Sequence, residues 1–567
     1  MITGAKMICE ALRLEGVEVV FGYPGGAALN IYDELYKQDD FKHVLVRHEQ
    51  AAAHAADGYA RASGKVGVAI VTSGPGFTNT LTGIATAYAD SIPMVLISAQ
   101  VANSLIGTDA FQEIDAVGMS RPCVKHSYLV KTIEELPRVL KEAFYIARSG
   151  RPGPVHVDIP KDITAIKGEF SYPSEVNMKT YKPTYKGNPR QIKRLALALS
   201  EAKKPLLYIG GGCISSNASE VIREFVKKTK IPAVCTLMGL GVLEHDNPYN
   251  LRMAGMHGSY RANMAMSECD LLISLGARFD DRITGKTSEF AKLAKIAHID
   301  IDPTSISKII KADFPIVGDV ANVLSELLAE IKDMEFDLGN WHGILDRHEA
   351  LYPSFSYEDS DEVLKPQWVI NECAKISPNA NVITDVGQHQ MWVAQFFKFN
   401  EPRRLSTSGG LGTMGYSIPA ALGVAFAKNN EVVLNFAGDG SFLMNVQELM
   451  TLTAERKKVI NIILNNAYLG MVRQWQTRFY NERYSETNLE DVQPDYEMLA
   501  KSFGCDSFRV KTKDEFIKAY NECLKSPRPC VIDVIISRFE DVLPMVPAGA
   551  AIYNMILPQK LIAKDSK

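Results

Sequence analysis

Two apolar runs joined by a helix-like pattern stand out in the last third of the chain. Residues 432–437 and 459–464 are apolar and rich in β-branched side chains. Between them, apolar positions from Phe442 to Leu452 recur at spacings of one, three and four, which indicates an amphipathic helix. Parallel strands need such a crossover connection. The stretch therefore predicts a βαβ unit with two parallel strands.

The same alternation of strand-like and helix-like patterns extends over most of the chain. It predicts an α/β fold with three doubly wound parallel-sheet domains. Polar stretches at 172–186 and 352–365 separate the three. The predicted units are 1–170, 188–340 and 366–540, and a tail at 541–567 that is either an ordered cover or an exposed end. The strand-like runs of the first two units are 19–21, 43–46, 66–71, 94–97, 155–159, 205–209, 233–236, 271–274 and 296–301.

Polar residues follow both strands of the βαβ unit. Asp439 comes directly after the first strand, and Asn466 follows the second. Because the carboxyl ends of parallel strands share one edge of a sheet, both residues are expected at the edge where such sheets bind ligands. Carboxylate and amide oxygens suit Mg²⁺, which is usually shared with substrate phosphates, and the main-chain carbonyl at Tyr468 is a third candidate ligand.

Two glycines flank the aspartate of this predicted cation site. Gly438 and Gly440 allow close approach of the backbone, and a helix that begins at Ser441 points free N–H groups at an anion. The alternative is an ordinary Asp-Gly turn. We favour the cation site because the next strand along the chain also ends in polar residues, Asn465-Asn466.

Composition and charge narrow the possible partners. Apolar residues make up 46% and charged residues 23% of the 567, which is typical of a globular protein. The net charge is −4 and no basic block occurs, which argues against nucleic acid or an anionic membrane surface. The nine cysteines are scattered without a Cys-x-x-Cys pair, which favours reduced thiols over disulfides or zinc. Without a long apolar run or a leader-like N-terminus, we expect a cytoplasmic protein.

Two loops of the first predicted unit, 1–170, are candidates for ligand contact. The run 43–46 leads through Arg47 and His48 to Glu49, ahead of a helix of small residues. Glu49 is therefore placed either to contact a ligand or simply to satisfy the dipole of that helix. The turn at 72–76 is followed by a predicted helix start at Thr78, and its glycines are explained by turn geometry alone.

These motifs, in this order, resemble those of the thiamine-diphosphate (ThDP)-dependent 2-oxoacid carboligases. Within them the chain resembles the family of acetohydroxyacid (acetolactate) synthase catalytic subunits, over essentially its whole length. The matching stretches are Phe21–Gly26, Arg47–Ala52, Thr72–Gly76, Ala110–Glu113, Pro160–Asp162, Arg278–Arg282, Gly409–Gly415 and Met545–Pro547. The resemblance implies that the three domains bind the ThDP pyrimidine, FAD and the ThDP diphosphate, in chain order.

The resemblance assigns roles around the ThDP rings. Glu49 matches the glutamate that hydrogen-bonds N1′ of the aminopyrimidine, which promotes removal of the proton from C2 of the thiazolium. Met414 matches the residue that bends the cofactor, although a Met that fills a core gap is the plainer interpretation of the residue alone. Further implied cofactor contacts are at Pro75, Val386, Gln388, Gly438, Gly440, Ser441 and Tyr468.

The resemblance also implies a site shared by two chains. Gly26, Phe111, Gln112 and Lys161 match residues that line the reaction cavity from the partner subunit. A homodimer or homotetramer is therefore expected, and a small regulatory subunit is usual for such families.

The second predicted unit, 188–340, lacks a convincing dinucleotide-binding motif of its own. Its three consecutive glycines from Gly210 do not fit the usual spacing. The resemblance nevertheless implies FAD, in a role without net redox chemistry. The implied contacts are Arg151, His257, Arg278, Asp300 and Asp319.

The resemblance completes the prediction with a site for a second substrate. Arg282, which alone is equally explained as part of a salt-bridged surface turn, matches the residue that binds the carboxylate of the acceptor 2-oxoacid. Trp475 matches an aromatic wall that favours a larger acceptor. The implied activity is decarboxylation of pyruvate and ligation to pyruvate or 2-oxobutyrate, the first common step of branched-chain amino-acid biosynthesis.

Three other interpretations share parts of this pattern. A pyruvate oxidase or decarboxylase on the same scaffold has no use for an acceptor-carboxylate site. A catabolic acetolactate synthase that lacks FAD is distinguished by the absence of a flavin spectrum. A non-catalytic relative is expected to have lost Glu49, Asp439 or Asn466, and all three are present.

Overall fold

The computed structural model describes residues 1–558, and three six-stranded sheets dominate it. The paired strands of each sheet run parallel, and helices connect them. The α/β fold class with three doubly wound parallel-sheet domains is therefore confirmed. Residues 559–567 of the predicted tail lie outside the described part of the chain.

The first sheet has the strand order β3-β2-β4-β5-β7-β6, and a short antiparallel pair, β1 with β8, lies apart from it. The strands are β1 (Ile2–Thr3), β2 (Val19–Gly22), β3 (Lys42–Leu45), β4 (Gly67–Val71), β5 (Met94–Gln100), β6 (His126–Leu129), β7 (Pro154–Pro160) and β8 (Lys167–Gly168). The helices are α1 (Gly4–Leu14), α2 (Leu29–Tyr36), α3 (Glu49–Ser63), α4 (Pro75–Thr78), α5 (Leu81–Ala89), α6 (Ala116–Ser120), α7 (Leu136–Arg148) and α8 (Lys161–Ala165).

The second sheet has the order β11-β10-β9-β12-β13-β14. The strands are β9 (Pro205–Ile209), β10 (Ala233–Cys235), β11 (Asn250–Met253), β12 (Leu271–Leu275), β13 (Lys295–Asp300) and β14 (Phe314–Val317). The helices are α9 (Pro189–Glu201), α10 (Gly211–Ser215), α11 (Ser219–Thr229), α12 (Tyr260–Glu268), α13 (Asp281–Thr284), α14 (Val320–Glu330) and α15 (Gly339–Leu351).

The third sheet has the order β16-β15-β17-β18-β20-β19. The strands are β15 (Asn381–Thr384), β16 (Leu405–Ser406), β17 (Val433–Gly438), β18 (Ile460–Asn465), β19 (Asp506–Val510) and β20 (Cys530–Ile535). The helices are α16 (Pro366–Ile376), α17 (Gln388–Phe396), α18 (Ser417–Ala427), α19 (Asp439–Phe442), α20 (Glu448–Ala454), α21 (Gly470–Phe479), α22 (Tyr496–Ser502) and α23 (Lys513–Lys525).

Contacts divide the described chain into two compact units. The first comprises Met1–Lys182, Ala380–His389 and Ser406–Ile535, and so contains the first and third sheets. The second comprises Pro183–Asn379, Gln390–Leu405 and the described residues from Ile536 onward, around the second sheet. The predicted boundaries of three domains stay a prediction.

Within the first unit, α3 and α18 pack in unusually close contact. A side chain on Gly58 of α3 has no room, because its Cβ would lie 2.2 Å from the carbonyl oxygen of Ala420. Gly423 of α18 is equally restricted, with its Cβ 1.9 Å from the carbonyl oxygen of Ala55. The small residues of α3 therefore allow this helix, from the layer of the first sheet, to pack closely against α18, from the layer of the third sheet.

Two predicted helix starts differ from the structure. The helix expected from Ser441 begins at Asp439 as α19, and a 3-10 turn at Leu443–Asn445 separates it from α20. The helix expected from Thr78 is preceded by the single turn α4. Apolar spacing correctly indicated that Phe442, Leu449 and Leu452 are buried, whereas Leu443 is exposed. Such spacing cannot show where a helix is interrupted.

Two further features concern the cysteines and the apolar character of the helices. All nine cysteines are unpaired. None of the helices within residues 1–558 combines the length and apolar character that a membrane crossing needs.

Candidate functional site

Each sheet has a topological switch point, where the connections from two neighbouring strands leave in opposite directions along the sheet. The predicted site residues follow strands near these points, which we call points of reversal. In the first sheet this point lies between β2 and β4, in the second between β9 and β12, and in the third between β15 and β17. Ligands of doubly wound folds bind at such points, beyond the carboxyl ends of the strands.

Asp439 lies at this point of the third sheet and is almost completely buried, with 1% of its surface exposed. One carboxylate oxygen accepts a hydrogen bond from the main-chain N–H of Gly440 at 3.1 Å, and the side-chain amide of Gln493 donates to the other. Burial raises the pKa of Asp439 to about 7. A cation beside the carboxylate would favour its ionised form, so the site suits a bound metal.

Asn466 faces the same edge from the end of β18. Its amide oxygen accepts the main-chain N–H of Tyr468 at 3.1 Å, while its amide nitrogen donates to Gln388 at 3.2 Å. Gln388 in turn donates to Gln474 at 2.9 Å. This chain of hydrogen bonds fixes which atom of Asn466 is the oxygen, so the oxygen lies on the side of Tyr468.

We call Gln388, Met414, Gly438, Asp439, Asn466 and Tyr468 the Asp439 half-site. Within residues 1–558, no group of three or more His, Cys, Asp or Glu side chains is arranged to hold a metal. A cation here would instead be bound by one carboxylate, one amide and one main-chain carbonyl, which is a donor set that suits Mg²⁺ shared with phosphates.

His389 is a member of this site that the sequence analysis missed. It is buried between two glycines, since a Cβ on Gly387 or Gly438 would lie 2.9 or 3.1 Å from its ring. Burial lowers the pKa of His389 to about 3, so the ring is neutral. Its buried Nε2 has no hydrogen-bond partner within the described chain. A buried polar atom of this kind fits a ligand group, such as a phosphate oxygen.

The other predicted diphosphate contacts surround the same strand ends. Ser441 is buried, and its hydroxyl is bonded to the main chain of Gly438 at 3.2 and 3.3 Å. A Cβ on Gly440 would lie 2.6 Å from a terminal methyl of Leu469, so a side chain there would require Leu469 to move. Val386 follows β15 and is partly exposed. The roles of these residues as cofactor contacts stay predictions.

Met414 lies in a loop that is held tightly on both sides. The carboxylate of Asp385 accepts the main-chain N–H groups of Gly415 at 2.9 Å and Ser417 at 3.0 Å. The side-chain amide of Asn445 donates to the carbonyl of Gly415 at 2.7 Å. Because Asn445 ends the turn that follows α19, the loop and Asp439 belong to one packed arrangement.

Glu49 is the first residue of α3, after the N-cap His48. Its carboxylate accepts a hydrogen bond from the side-chain amide of Asn79 at 2.9 Å. Gly76, from the turn after β4, lies beside it, with a Cβ position 3.7 Å from the nearer oxygen. The structure thus brings Glu49 and the turn that contains Pro75 together.

The loop of Gln112 packs on the same turn. Gln112 has a positive φ of 60° and lies against Gly74, whose Cβ would be 2.8 Å from its carbonyl oxygen. Gly26 is exposed, with open space around its Cβ position, and follows β2. We call Gly26, Glu49, Pro75 and Gln112 the Glu49 half-site.

Two predicted cavity residues lie outside these contacts. Phe111 is 88% exposed, which is unusual for an aromatic side chain and suits a surface that another chain covers. Lys161 is exposed at the start of α8. Their roles stay predictions.

Four of the predicted FAD contacts lie at or after the carboxyl ends of strands of the second sheet. His257, Arg278 and Asp319 come after β11, β12 and β14, respectively, and Asp300 is the last residue of β13. Arg278 is exposed at the point of reversal. Arg151 does not belong to this set: it precedes β7 in the first sheet and donates to the hydroxyl of Ser91 at 2.8 Å.

A close approach of backbones at this edge explains the three glycines that lacked the usual spacing. A Cβ on Gly210 would lie 2.4 Å from the carbonyl oxygen of Gly276, and one on Gly212 would lie 2.7 Å from its Cα. The glycines therefore allow the turns after β9 and β12 to meet.

Arg282 lines a cavity of about 160 Å³ in the second unit, together with residues of the C-terminal segment. It forms an ion pair with Asp281 at 3.2 Å and remains largely exposed, as the surface-turn alternative expects. Val546 donates its main-chain N–H to Met256 at 2.8 Å, and this pairs the tail with the cavity wall. The described part of the tail is therefore an ordered cover.

Trp475 lies on α21 in the first unit. It is half-buried and packs edge-on against Phe479, with ring centroids 5.5 Å apart. The acceptor roles of Arg282 and Trp475 stay predictions.

Comparison with known sequences identifies the class of protein. The family described as "Thiamine pyrophosphate enzyme, N-terminal TPP binding domain" matches residues 2–119, the corresponding central domain matches 192–327, and the C-terminal TPP binding domain matches 385–534. The Glu49 half-site falls in the first match and the Asp439 half-site in the third. Fold and site thus define a thiamine pyrophosphate enzyme.

Similarity over the full length narrows the class. The acetolactate synthase large subunit of Buchnera aphidicola subsp. Schizaphis graminum is 46% identical, over 99% of this chain and 100% of that protein. That of Haemophilus influenzae is 47% identical over 98% of each, and the acetolactate synthase isozyme 3 large subunit of Escherichia coli is 47% identical over 98% and 99%. The chain belongs to the acetolactate synthase large-subunit family, and the predicted family and ThDP dependence are confirmed.

Proposed function

We propose that this chain is the catalytic subunit of an acetolactate synthase that decarboxylates pyruvate and joins the two-carbon unit to a second 2-oxoacid. The observation that carries the proposal is the Asp439 half-site together with His389: a buried carboxylate, an oriented amide and an imidazole nitrogen without a hydrogen-bond partner in the described chain lie at the ends of neighbouring strands. With pyruvate as acceptor the product is 2-acetolactate; with 2-oxobutyrate it is 2-aceto-2-hydroxybutyrate. These products begin branched-chain amino-acid biosynthesis.

The chain's own residues bind and orient the cofactor. Asp439, Asn466 and the carbonyl of Tyr468 hold Mg²⁺, and His389 with the main chain around Gly438 binds the diphosphate. Bound ThDP supplies the nucleophilic carbon and the electron sink of the reaction. Met414, on its fixed loop, would contact the rings of the cofactor.

Glu49 is the group that holds a proton at N1′. Asn79 fixes its carboxylate, so the acid is oriented before the cofactor arrives. A hydrogen bond from Glu49 to N1′ of bound ThDP would supply the acid–base assistance that deprotonation at C2 needs. Preorganisation of this kind avoids reorganisation during the reaction.

We further propose that the second sheet binds FAD in a role without net redox chemistry. The support is the meeting of Gly210 with Gly276 at the point of reversal, with the exposed Arg278 and the carboxylate of Asp300 beside it. Such a surface suits a dinucleotide pyrophosphate and ribose. A flavin absorption spectrum of the purified protein would distinguish it from an FAD-free acetolactate synthase.

A competition assay tests the reaction and its acceptor residues together. With pyruvate and 2-oxobutyrate present, the wild type is expected to form both acetohydroxyacids, with CO₂ release matched to ligation. Trp475→Leu should lose most of any preference for 2-oxobutyrate, because one methyl group in an apolar pocket is worth roughly 10- to 200-fold in selectivity. Arg282→Ala should weaken both acceptors alike, because both have the same carboxylate.

The outcomes of this assay separate the alternatives. CO₂ release without either acetohydroxyacid would indicate a pyruvate decarboxylase, and a requirement for an electron acceptor would indicate an oxidase. An unchanged product ratio in Trp475→Leu would remove that residue from the acceptor site. If Arg282→Ala slows CO₂ release as much as ligation, Arg282 does not bind the acceptor.

We propose that each active site is shared by two chains. In one chain Glu49 binds Asn79, just before α5, whereas Thr413 beside Met414 binds Thr86 near the end of α5, at 2.8 Å. The two contacts therefore lie before the start and near the end of the same helix. Met414 would have to lie next to Glu49 for both to contact one cofactor, so we propose that the two half-sites of one chain serve different cofactors.

Mixed dimers test this sharing. Glu49→Gln and Asp439→Ala are each expected to be inactive, but co-expression should place both changes in one site of a mixed dimer and leave the other intact. Random assembly then restores about one quarter of wild-type activity, since about half of the dimers are mixed. If each site lay within one chain, co-expression would restore none.

A small regulatory subunit is proposed because the relatives are named large subunits. A cytoplasmic location is also proposed, and it is supported by the nine unpaired cysteines.

A further inference from the structure

The first and third sheets are built alike. Their strand orders correspond position by position: β3-β2-β4-β5-β7-β6 in the first sheet and β16-β15-β17-β18-β20-β19 in the third. The loop before α3, which leads to Glu49, therefore corresponds to the loop before α18, which contains Met414. In the same way, α5 corresponds to α20.

Glu448, the first residue of α20, reaches across to the loop of Glu49. It is fully buried, and its carboxylate accepts the main-chain N–H of Arg47 at 2.9 Å. The other oxygen accepts the hydroxyl of Thr451 at 2.6 Å. A residue of the third sheet's layer thus fixes the main chain two positions before Glu49.

Asp90, at the C-terminal end of α5, makes a contact in the opposite direction, although Glu448 lies at the N-terminal end of α20. Its two oxygens accept the main-chain N–H groups of Gly409 at 2.9 Å and Gly410 at 2.7 Å, in the loop of Met414. A side chain on Gly410 has little room, since its Cβ would lie 2.9 Å from Asp90. The buried guanidinium of Arg61 binds the same carboxylate at 2.9 Å.

Arg61 extends this contact to α18. It also binds Asp57 at 2.6 Å, and Asp57 accepts the hydroxyl of Tyr416 at 2.6 Å. The loop from Gly409 to Tyr416 is therefore held at both ends by carboxylates of the first sheet's layer, on either side of Met414.

We propose that Glu448 and Asp90 are a reciprocal pair of positioning residues, each fixing the loop that presents the other layer's cofactor-contacting side chain. Both carboxylates are shielded from solvent, since Glu448 is fully buried and the side chain of Asp90 is 1% exposed. The inference rests on the proposed function, because it assigns Glu49 and Met414 to the ThDP rings.

The test compares Glu448→Gln and Asp90→Asn with Asp270→Asn. Each amide keeps the size of the acid but has only one acceptor oxygen. Asp270 is the matched control, because its carboxylate also accepts two successive main-chain N–H groups, of Lys203 and Lys204 at 2.7 and 2.9 Å, in the second unit.

Amide hydrogen exchange of the cofactor-free protein gives the first readout. Glu448→Gln should speed exchange at 46–50 and leave 408–412 unchanged, and Asp90→Asn should do the reverse. The second readout is exchange of the C2 proton of bound ThDP at saturating cofactor and Mg²⁺. Both variants should slow it by about 10- to 100-fold, because small displacements of a reacting group have effects of this size. Asp270→Asn should match the wild type in both.

Two results would overturn the inference. One is wild-type C2 exchange in both variants; the other is amide exchange that rises across the whole protein instead of in the assigned loop. If Asp90→Asn does not fold, Asp90→Glu keeps the charge beside Arg61 while displacing the oxygens from Gly409 and Gly410, and the same readouts apply. A wild type that binds no ThDP would instead refute the proposed function.

Discussion

Replacing Glu49 by glutamine is expected to slow loss of the C2 proton of bound ThDP by about 10²- to 10⁴-fold, the usual scale for lost acid–base assistance. Glutamine keeps the shape of the side chain and can still accept from Asn79, so cofactor binding should persist. It has no acidic proton to share with N1′. The defect should therefore appear in proton transfer and not in affinity.

Hydrogen–deuterium exchange at C2, followed by NMR on quenched samples, measures this step directly. Glu142→Gln is a suitable control, because Glu142 also accepts a side-chain hydrogen bond, from Tyr128 at 2.9 Å, on α7 of the same layer. An exchange rate in Glu49→Gln equal to that of the wild type would mean that another group activates the cofactor.

The strands of the sheet centres could be predicted from the sequence because they are continuous apolar runs. The run at 205–209 matches β9 residue for residue, and the predicted 432–437 differs from β17 by one residue at each end. Edge strands are harder to detect. His126–Leu129 and Asn250–Met253 are short and partly exposed, so they lack the apolar pattern of a buried strand.

Asp439 and Asn466 could be placed together because parallel strands bring their carboxyl ends to one edge. His389 had a weaker signal, a Gly-Gln-His sequence after an apolar run, and its orientation depends on packing between Gly387 and Gly438. Glu448 and Asp90 had none. Their partners lie 401 and 319 residues away along the chain, and no local pattern shows such a contact.

The resemblance supplied roles that residue patterns alone left open. Glu49 by itself was equally a helix N-terminal charge, and the structure shows that it is both the first residue of α3 and a neighbour of Gly76. Arg282 by itself was a surface ion pair, which the structure also contains. A static contact does not separate the two roles, whereas variants with different kinetic defects do.

Replacing Asp439 by alanine is expected to weaken binding of ThDP with Mg²⁺ by about 100-fold or more. Loss of an outer partner of a metal ligand commonly costs 10- to 100-fold, and Asp439 is assigned here as a direct ligand. The fold should survive, because the change removes a buried carboxylate whose pKa burial has raised to about 7. Such a group is costly to keep ionised in the cofactor-free protein.

Titration calorimetry with ThDP at fixed Mg²⁺, together with thermal unfolding of the cofactor-free protein, separates the two effects. Asp506→Ala is the matched control: Asp506 begins β19 of the same sheet, at the amino edge opposite the site, and accepts the hydroxyl of Ser526 at 2.6 Å. The control should bind ThDP like the wild type. Unchanged ThDP affinity in Asp439→Ala, with Mg²⁺ still required, would place the cation elsewhere.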